Sequence, residues 1–237
     1  MSFSKLSLLA AAATLAFSGL SAHADTLNLG SGGGAFTFFF DGSFQTAAGG
    51  NMTGSSAVIG GNTVNFSAVY CVDLNDEINS NSTYNNTTFS TNGKVNGSTV
   101  HNDAGIAWLL LNINPTNTTQ SEGLQAAIWA EEYGNDFSVF NSFGQSGIIS
   151  AETTDLNLLQ SAINHNQVSS SLVSDVLWIT PPSTTEGWDW DRETSDRQGL
   201  VGVVNDPPPA VPEPATLSLF GTGILGIASL VRRRRSA

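Results

Sequence analysis

The sequence of 237 residues contains a single cysteine, Cys71, and charged side chains make up only 12% of it. One cysteine excludes an internal disulfide, and no zinc-ligand spacing, phosphate loop or dinucleotide fingerprint is present, so we expect no metal and no cofactor. Basic residues are scarcest: away from the chain ends only Lys94, Arg192 and Arg197 remain, against nineteen acidic residues from Asp25 to Ala210, a formal charge of −16. This charge excludes nucleic acid and anionic membrane surfaces as partners.

The N-terminus has the pattern of a secretory signal peptide. Lys5 stands in a short polar region, an apolar run extends from Leu6 to Leu20, and Ala22-His23-Ala24 is a small-x-small cleavage site. Residues 1–24 are therefore predicted to be removed after Ala24, which makes the protein an exported one. An unpaired thiol in an exported protein needs an explanation, and the simplest is that Cys71 is a buried structural residue.

The C-terminus combines three features in a fixed order. Val211-Pro212-Glu213-Pro214 is followed by an apolar run from Leu217 to Val231 and then by Arg232 to Arg235. As a helix the run is about 22 Å long, short for a hydrocarbon core of about 30 Å.

This tail resembles the PEP-CTERM sorting signal of Gram-negative bacteria. The resemblance implies an exosortase as partner, processing at Pro212, Glu213 and Pro214, and a transient stay in the inner membrane through Leu217 to Val231. It also implies delivery to the cell surface or the extracellular matrix. A plain C-terminal membrane anchor, stopped by a positive cytoplasmic cluster, is the alternative.

Residues 25–206 are long enough for one domain with its own core, and residues 207–237 form a linker and the sorting segment. Short apolar runs between glycine turns favour an antiparallel β scaffold, a barrel or a sandwich, that is interrupted by helical periodicity. The predicted elements are strands from Thr26 to Ile78, an exposed hairpin from Asn79 to Ser98, helices over 102–111, 119–133 and 151–163, and strands over 172–180 and 200–204. The fold class is α+β with an inserted helical subdomain.

Residues 63–74 alternate with the period of a strand. One face is predicted to be the main core, formed by Val64, Phe66, Ala68, Tyr70, Val72 and Leu74. Cys71 lies on the other face, where a different part of the chain can meet it.

The helix predicted over 119–133 carries an unusual glutamine. Its start has a capping-box pattern, Thr119 followed by Glu122. Gln125 shares the apolar stripe with Ile128 at i+3 and Trp129 at i+4, so its amide is expected to be at least partly buried. Such an amide is costly unless it has a polar partner or has reacted chemically.

Two motifs bring this glutamine and the cysteine together. Tyr70-Cys71-Val72 on a strand and the later Gln125-Ala126-Ala127-Ile128-Trp129 on a helix, with Gly105 to Leu110 between them, resemble the bacterial thioester domains of surface adhesins. The resemblance implies a Cys71–Gln125 thioester, with Tyr70, Ile128 and Trp129 around it. Family members often have threonine before the glutamine, where this chain has Leu124, and the pair Thr119-Gln120 makes Gln120 an alternative acyl donor.

The chemistry follows from the two side chains. Attack of the Cys71 thiolate on the Gln125 carbonyl releases ammonia, and an amine, or less readily a hydroxyl, on a target then takes the acyl group. The protein is consumed by this reaction, so we expect a single-turnover adhesin and not an enzyme. The reaction requires about 3 to 3.5 Å between sulfur and carbonyl carbon, with Trp129 covering the pair and one side open to a groove. The alternative is a structural exopolysaccharide-matrix protein in which Cys71 is merely buried.

Three further sequence patterns can each be explained by a functional site or by an ordinary structural role. His101 and His165 are candidate bases for a cysteine hydrolase, but exposed polar histidines explain them equally well. Between residues 186 and 196, Asp189, Asp191 and Glu193 are spaced as in a calcium loop, although a solvated acidic turn also fits because Thr194 and Leu200 replace the expected glycine and glutamate. In the same segment Trp188 and Trp190 form either a sugar-stacking platform or a packed hairpin.

Overall fold

The computed structural model describes residues 24–141, 144–186, 193–195 and 197–205. Its main element is an antiparallel sheet of seven strands. These strands are β1 (Thr26–Asn28), β4 (Ser56–Ile59), β5 (Asn62–Cys71), β6 (Thr83–Asn85), β7 (Thr88–Ser90), β11 (Leu177–Thr180) and β14 (Leu200–Val204). Their order in the sheet is β6-β1-β4-β5-β14-β11-β7. The predicted antiparallel scaffold is confirmed.

The two edge strands of this sheet are consecutive in the sequence. β6 pairs with β1 and β7 pairs with β11, at opposite edges, and only Asn86 and Thr87 join β6 to β7. The sheet must therefore curve into a half-barrel whose edges approach each other at this connection. The prediction of an exposed hairpin over 79–98 is wrong, because short strands of this polar tract complete both edges of the sheet.

The remaining strands form a smaller sheet and two short hairpins. The three-stranded sheet has the order β10-β2-β3, and its strands are β2 (Ala35–Phe40), β3 (Ser43–Ala48) and β10 (Phe137–Val139). The hairpins pair β8 (Lys94–Val95) with β9 (Ser98–Thr99) and β12 (Thr184–Glu186) with β13 (Glu193–Ser195). Asp41 and Gly42 join β2 to β3 with φ angles of 46° and 74°, the positive values of a two-residue hairpin turn.

Three helices lie between β9 and β11, which confirms the predicted order of strands, helices and strands. They are α1 (Asp103–Asn112), α2 (Thr118–Tyr133) and α3 (Ser146–Asn164), and the two 3₁₀ helices are Gly134–Asp136 and Ser170–Asp175. α3 begins at Ser146, five residues before the predicted start. The strand predicted over 172–180 is shorter than expected, because a 3₁₀ helix takes its first part and leaves β11.

The start of α2 differs from the predicted capping box. Asn117 is the N-cap, with extended backbone, and its Oδ1 accepts a hydrogen bond from Gln120 N at 3.0 Å. Thr119 lies inside the first turn. Glu122 is buried and its carboxylate accepts a hydrogen bond from the Gly34 backbone, so it does not close a capping box. The helix thus begins one residue earlier than predicted and uses the better N-cap side chain.

A β-bulge in β5 changes which residues share a face. Ala68 pairs with Val203 and Phe66 pairs with Val204, so Ser67 is an extra residue on β5. After this residue, the side chains of β5 that point to a given face change from even-numbered to odd-numbered positions. The prediction of a single core face from Val64 to Leu74 is therefore wrong.

Two core clusters lie on opposite faces of β5 after the bulge. The first contains Val69 and Cys71 of β5 and the rings of Phe36, Phe38 and Trp129. The second contains Tyr70 and Val72 of β5 together with Ile106, Ile128 and Trp178. α2 contributes to both clusters, since every residue from Glu122 to Trp129 is buried.

The described residues contain no helix that is both long enough and apolar enough to cross a membrane. The predicted signal peptide up to His23 and the apolar run from Leu217 to Val231 lie outside the described residues.

Candidate functional site

Cys71 is the last residue of β5 and is almost completely buried, with 1% of its surface exposed. It lies opposite Leu200 of β14, and the adjacent Val72 N donates a hydrogen bond to Gly199 O at 2.8 Å. On its other edge β5 has lost its partner strand, because the pairing with β4 begins only at Asn65 and runs back to Asn62. The backbone groups of Cys71 on that edge therefore need another partner.

The side chain of Gln125 supplies this partner. Cys71 N donates to Gln125 Oε1 at 3.0 Å, and Gln125 Nε2 donates to Cys71 O at 2.7 Å. Gln125 is fully buried, as its position on the apolar stripe predicted. Its amide acts in place of a neighbouring strand, which satisfies both of its own polar groups and both backbone groups of Cys71.

Neighbouring residues make this close approach possible. A Cβ atom on Gly49 would lie 2.9 Å from Gln125 Cγ, so glycine leaves the space that the glutamine side chain occupies. Two residues before Cys71, the same edge of β5 is bound by Asn51, whose Oδ1 accepts from Val69 N at 3.0 Å. Side-chain amides therefore bind the edge of β5 that faces away from β14, at Val69 and at Cys71.

The Cys71 sulfur contacts a third amide, which the sequence did not predict. Sγ donates to Gln198 Oε1 at 3.0 Å, and Gln198 Nε2 donates to the backbone carbonyl of Asp73. Gln198 is buried and lies two residues before Leu200, the partner of Cys71 in the sheet. Only the register between β14 and β5 places it there, and a glutamine before an apolar strand gives no local signal of that register.

Burial controls the ionisation of the thiol. Removal from water raises the pKa of Cys71 well above its usual range, and the nearby Asp73 carboxylate raises it further. The thiol is therefore protonated at neutral pH, and a reaction through the thiolate requires a group that takes its proton.

An acidic cavity of about 250 Å³ lies on the Asp73 side of the site. Asp73 and Glu132 both line it, and Asp73 Oδ1 and Glu132 Oε2 are buried without a hydrogen-bond partner among the described residues. Burial is the main cause that raises the pKa of each carboxyl to about 7. Within the described ranges, no group of three or more histidine, cysteine or acidic side chains is arranged to hold a metal ion.

These raised pKa values predict that the protein is more stable in mild acid. Asp73 and Glu132 have folded-state pKa values of about 7, whereas unfolded carboxyl groups titrate near about pH 4. Between these values the folded state binds more protons, so the free energy of unfolding falls as pH rises through about 7. We expect the urea midpoint of unfolding to be higher at about pH 5 than at about pH 8.

The variant Asp73→Asn tests the origin of this pH dependence. It should reduce the difference between the two midpoints, while Asp136→Asn, a change at an exposed position, should leave the difference unchanged. An equal difference in all three proteins would show that the acidic cavity is not its source.

The other residues predicted around the pair lie in two different core clusters. Tyr70 and Ile128 lie in the second core cluster, and the Tyr70 hydroxyl is 3.3 Å from Ser121 Oγ. Burial raises the pKa of Tyr70 to about 12, so it remains a neutral phenol. Trp129 lies with Cys71 in the first core cluster, fully buried.

Access to the pair differs from the expectation. A groove of about 760 Å³ is lined by Tyr70 and Leu124, the residues directly before Cys71 and Gln125. Neither Cys71 nor Gln125 is among the residues that line this groove or the acidic cavity. The pair is buried and lines neither cavity, so a nucleophile reaches it only after neighbouring side chains move.

The alternative candidates are not assembled with Cys71. Gln120 is exposed and its Oε1 accepts from Thr116 N and Thr116 Oγ1, each at 2.8 Å. The exposed rings of His101 and His165 contact the backbone carbonyls of Glu131 and Ser161.

The segment proposed for calcium or sugar binding is only partly described. Asp189, Asp191, Trp188 and Trp190 lie outside the described residues, and Glu193 is paired with Glu186 through the backbone of the β12–β13 hairpin.

Comparison with known proteins identifies the C-terminal segment alone. Residues 210–235 match the PEP-CTERM protein-sorting motif, which confirms the predicted sorting signal. No curated protein and no solved structure matches the chain. The motif indicates an exported protein that an exosortase processes at the cell envelope.

Proposed function

We propose that the domain forms an internal Cys71–Gln125 thioester and uses it once, to attach the protein covalently to an amine or hydroxyl on a target. After processing by the exosortase, the protein would act at the cell surface or in the extracellular matrix of a Gram-negative bacterium. One observation carries the proposal. The amide of Gln125 is buried against Cys71, the only cysteine in the chain and 54 positions away, through two hydrogen bonds of 3.0 and 2.7 Å.

The same contacts suit the first chemical step. Cys71 Sγ forms a bond to Gln125 Cδ while the Cδ–Nε2 bond breaks, and the thiol proton leaves with the nitrogen as ammonia. Cys71 N already donates to Gln125 Oε1, the oxygen on which negative charge develops. A donor fixed at that oxygen stabilises the tetrahedral intermediate, as in an oxyanion hole.

The second step transfers the acyl group to the target. The nitrogen of an amine, or the oxygen of a hydroxyl, bonds to Gln125 Cδ as the Cδ–Sγ bond breaks, and its proton passes to Cys71 Sγ. No electrons are exchanged with an outside reagent, so the residues of the pair and the target suffice. For the first step, the thiol must release its hydrogen bond to Gln198 Oε1 and lose the proton that burial holds on it.

A non-reactive matrix protein is the second candidate function. The specific observation in its favour is that every polar group of the pair already has a partner: the Gln125 amide binds the Cys71 backbone and the thiol binds Gln198. In that case Gln125 is a structural residue that substitutes for a missing strand, and Cys71 is a small apolar residue of the core.

The intact mass of the exported protein separates the two functions. A thioester makes the protein lighter than its processed sequence by one ammonia, and methylamine should open it, adding one methylamine to the mass and freeing one thiol. We expect Cys71→Ala and Gln125→Ala to have their full sequence masses and to be inert to methylamine.

Two matched glutamine variants identify the acyl donor. Gln198→Ala removes the amide that contacts the sulfur, and Gln120→Ala removes the exposed alternative acyl donor. The measured mass of each variant should still be lower than its sequence mass by one ammonia. A full sequence mass for the wild-type protein would exclude the thioester. Loss of the mass deficit in Gln198→Ala but not in Gln125→Ala would assign the bond to Gln198 instead.

A further inference from the structure

The groove lined by Tyr70 and Leu124 has a chemical character of its own. One wall runs from Leu110, in the last turn of α1, through the connection to Thr118, the first residue of α2. Another is formed by Gly32 to Gly34 and Thr53. Its floor consists of Tyr70 and Leu124, both nearly fully buried. At about 760 Å³ it is within the size range of ligand sites in proteins.

None of the described residues that line this groove has a charged side chain. The strongly negative domain attracts cations at long range, but a cationic ligand would lose water in the groove without meeting a carboxylate there. An anionic ligand would be repelled by a domain whose formal charge is strongly negative. The groove thus selects for an uncharged ligand.

The lining offers hydroxyl and amide groups beside apolar surface. Thr53, Asn114 and Thr118 are exposed, and their side chains both donate and accept hydrogen bonds, as sugar hydroxyls do. Ile113 and Pro115 are half-buried and present apolar surface to the C–H faces of a sugar ring.

A peptide added along a strand edge fits this groove less well. It would need free backbone groups, but Thr53 N and O are paired with Ser31, and Ser67 O accepts from Asn51 Nδ2 at 3.3 Å. Recognition is left to side chains, which suits a ligand that is rich in hydroxyl groups.

We propose that this groove binds a neutral oligosaccharide, a segment of the polymer to which the exported protein attaches. Asn51 and Ser121 both line the groove. Asn51 binds the edge of β5 two residues before Cys71, and Ser121 lies one helical turn before Gln125 on α2, so a bound sugar would lie beside the pair. The delivery of a sugar hydroxyl to the acyl group rests on the proposed thioester. Binding itself does not, because the lining residues act without a covalent step.

Calorimetric titration of the Cys71→Ala protein measures binding without the covalent reaction. The probes are cellopentaose, maltopentaose and N-acetylated chitopentaose, compared with the amine-bearing chitosan pentamer and the anionic pentamer of galacturonic acid. We expect at least one neutral pentamer to bind at least about tenfold more tightly than both charged ones. The chitin and chitosan pentamers share one backbone, so their comparison isolates the charge.

Variants on two walls locate the site. Asn114→Arg and Thr53→Arg should each weaken binding at least about tenfold, while Asn157→Arg, at an exposed position of α3 outside the groove, should leave it unchanged. Absence of binding by all neutral pentamers, tighter binding of a charged one, or equal loss in Asn157→Arg would overturn the proposal. If the Cys71→Ala protein binds a neutral pentamer and the wild-type protein has its full sequence mass, sugar binding in the groove is supported and the thioester is excluded.

Discussion

Replacing Trp129 by alanine is expected to lower the free energy of unfolding by about 3 to 5 kcal/mol. The Trp129 ring is fully buried and lies 5.6 Å from Phe36, 5.3 Å from Phe38 and 5.8 Å from Phe137, measured between ring centroids. These three phenylalanines belong to β2 and β10, so the tryptophan attaches α2 to the smaller sheet. Its loss leaves a large cavity that close-packed neighbours fill only in part. Urea unfolding followed by circular dichroism measures the change.

Two control variants make this expectation specific. Phe44→Ala removes an aromatic ring from the same sheet, but that ring is 63% exposed, so the change should be within about 0.5 kcal/mol. Trp129→Phe should cost less than Trp129→Ala, because the smaller ring keeps part of the packing and removes Nε1, a buried donor that has no partner in the part of the chain that the structure describes. A loss in Trp129→Ala no larger than that in Phe44→Ala would contradict the proposed role of the ring.

The sequence predicted the features of the site that depend on local periodicity. The helical stripe that contains Gln125 required only the 3.6-residue repeat, and this glutamine is fully buried, as expected. β14 follows from a return of the sequence to the two-residue period, and its observed bounds, Leu200–Val204, are those predicted. In both cases neighbours in the sequence determine the element, so the pattern is readable without knowledge of the fold.

The contacts that depend on distant parts of the chain could not be predicted in the same way. Ser67 looks like an ordinary strand residue, and only its position opposite Val203 and Val204 makes it a bulge that reverses the faces of β5. Gln198 meets the Cys71 sulfur because of the register between β14 and β5. The predicted N-cap of α2, Thr119, was wrong because Asn117, two positions earlier, is also a good capping residue.

α2 explains why the site is rigid. Its buried run from Glu122 to Trp129 contributes to both core clusters, so Gln125 cannot move without disturbing the packing on either side. The backbone of Cys71 is equally fixed, by β14 on one edge and by the glutamine amide on the other. Such preorganisation serves a reaction that depends on alignment, and it equally serves a static core. Rigidity of the pair therefore fits both candidate functions, and the intact mass of the protein separates them.

The sorting signal is independent of this domain in the sequence. The PEP-CTERM motif occupies residues 210–235, while export is predicted to depend on residues 1–24. A substitution in one segment should therefore leave the function of the other intact.

Replacing both Pro212 and Pro214 by alanine is expected to abolish C-terminal processing while leaving export unchanged. The apolar run from Leu217 to Val231 and the following arginines should then hold the unprocessed precursor in the inner membrane, because a positive cluster is retained on the cytoplasmic side. Immunoblots of fractionated cells measure both size and location. The matched control, alanine at Pro207 and Pro208, lies outside the motif and should give normally processed protein. Normal processing of the Pro212 and Pro214 variant as well would show that the exosortase does not require this part of the motif.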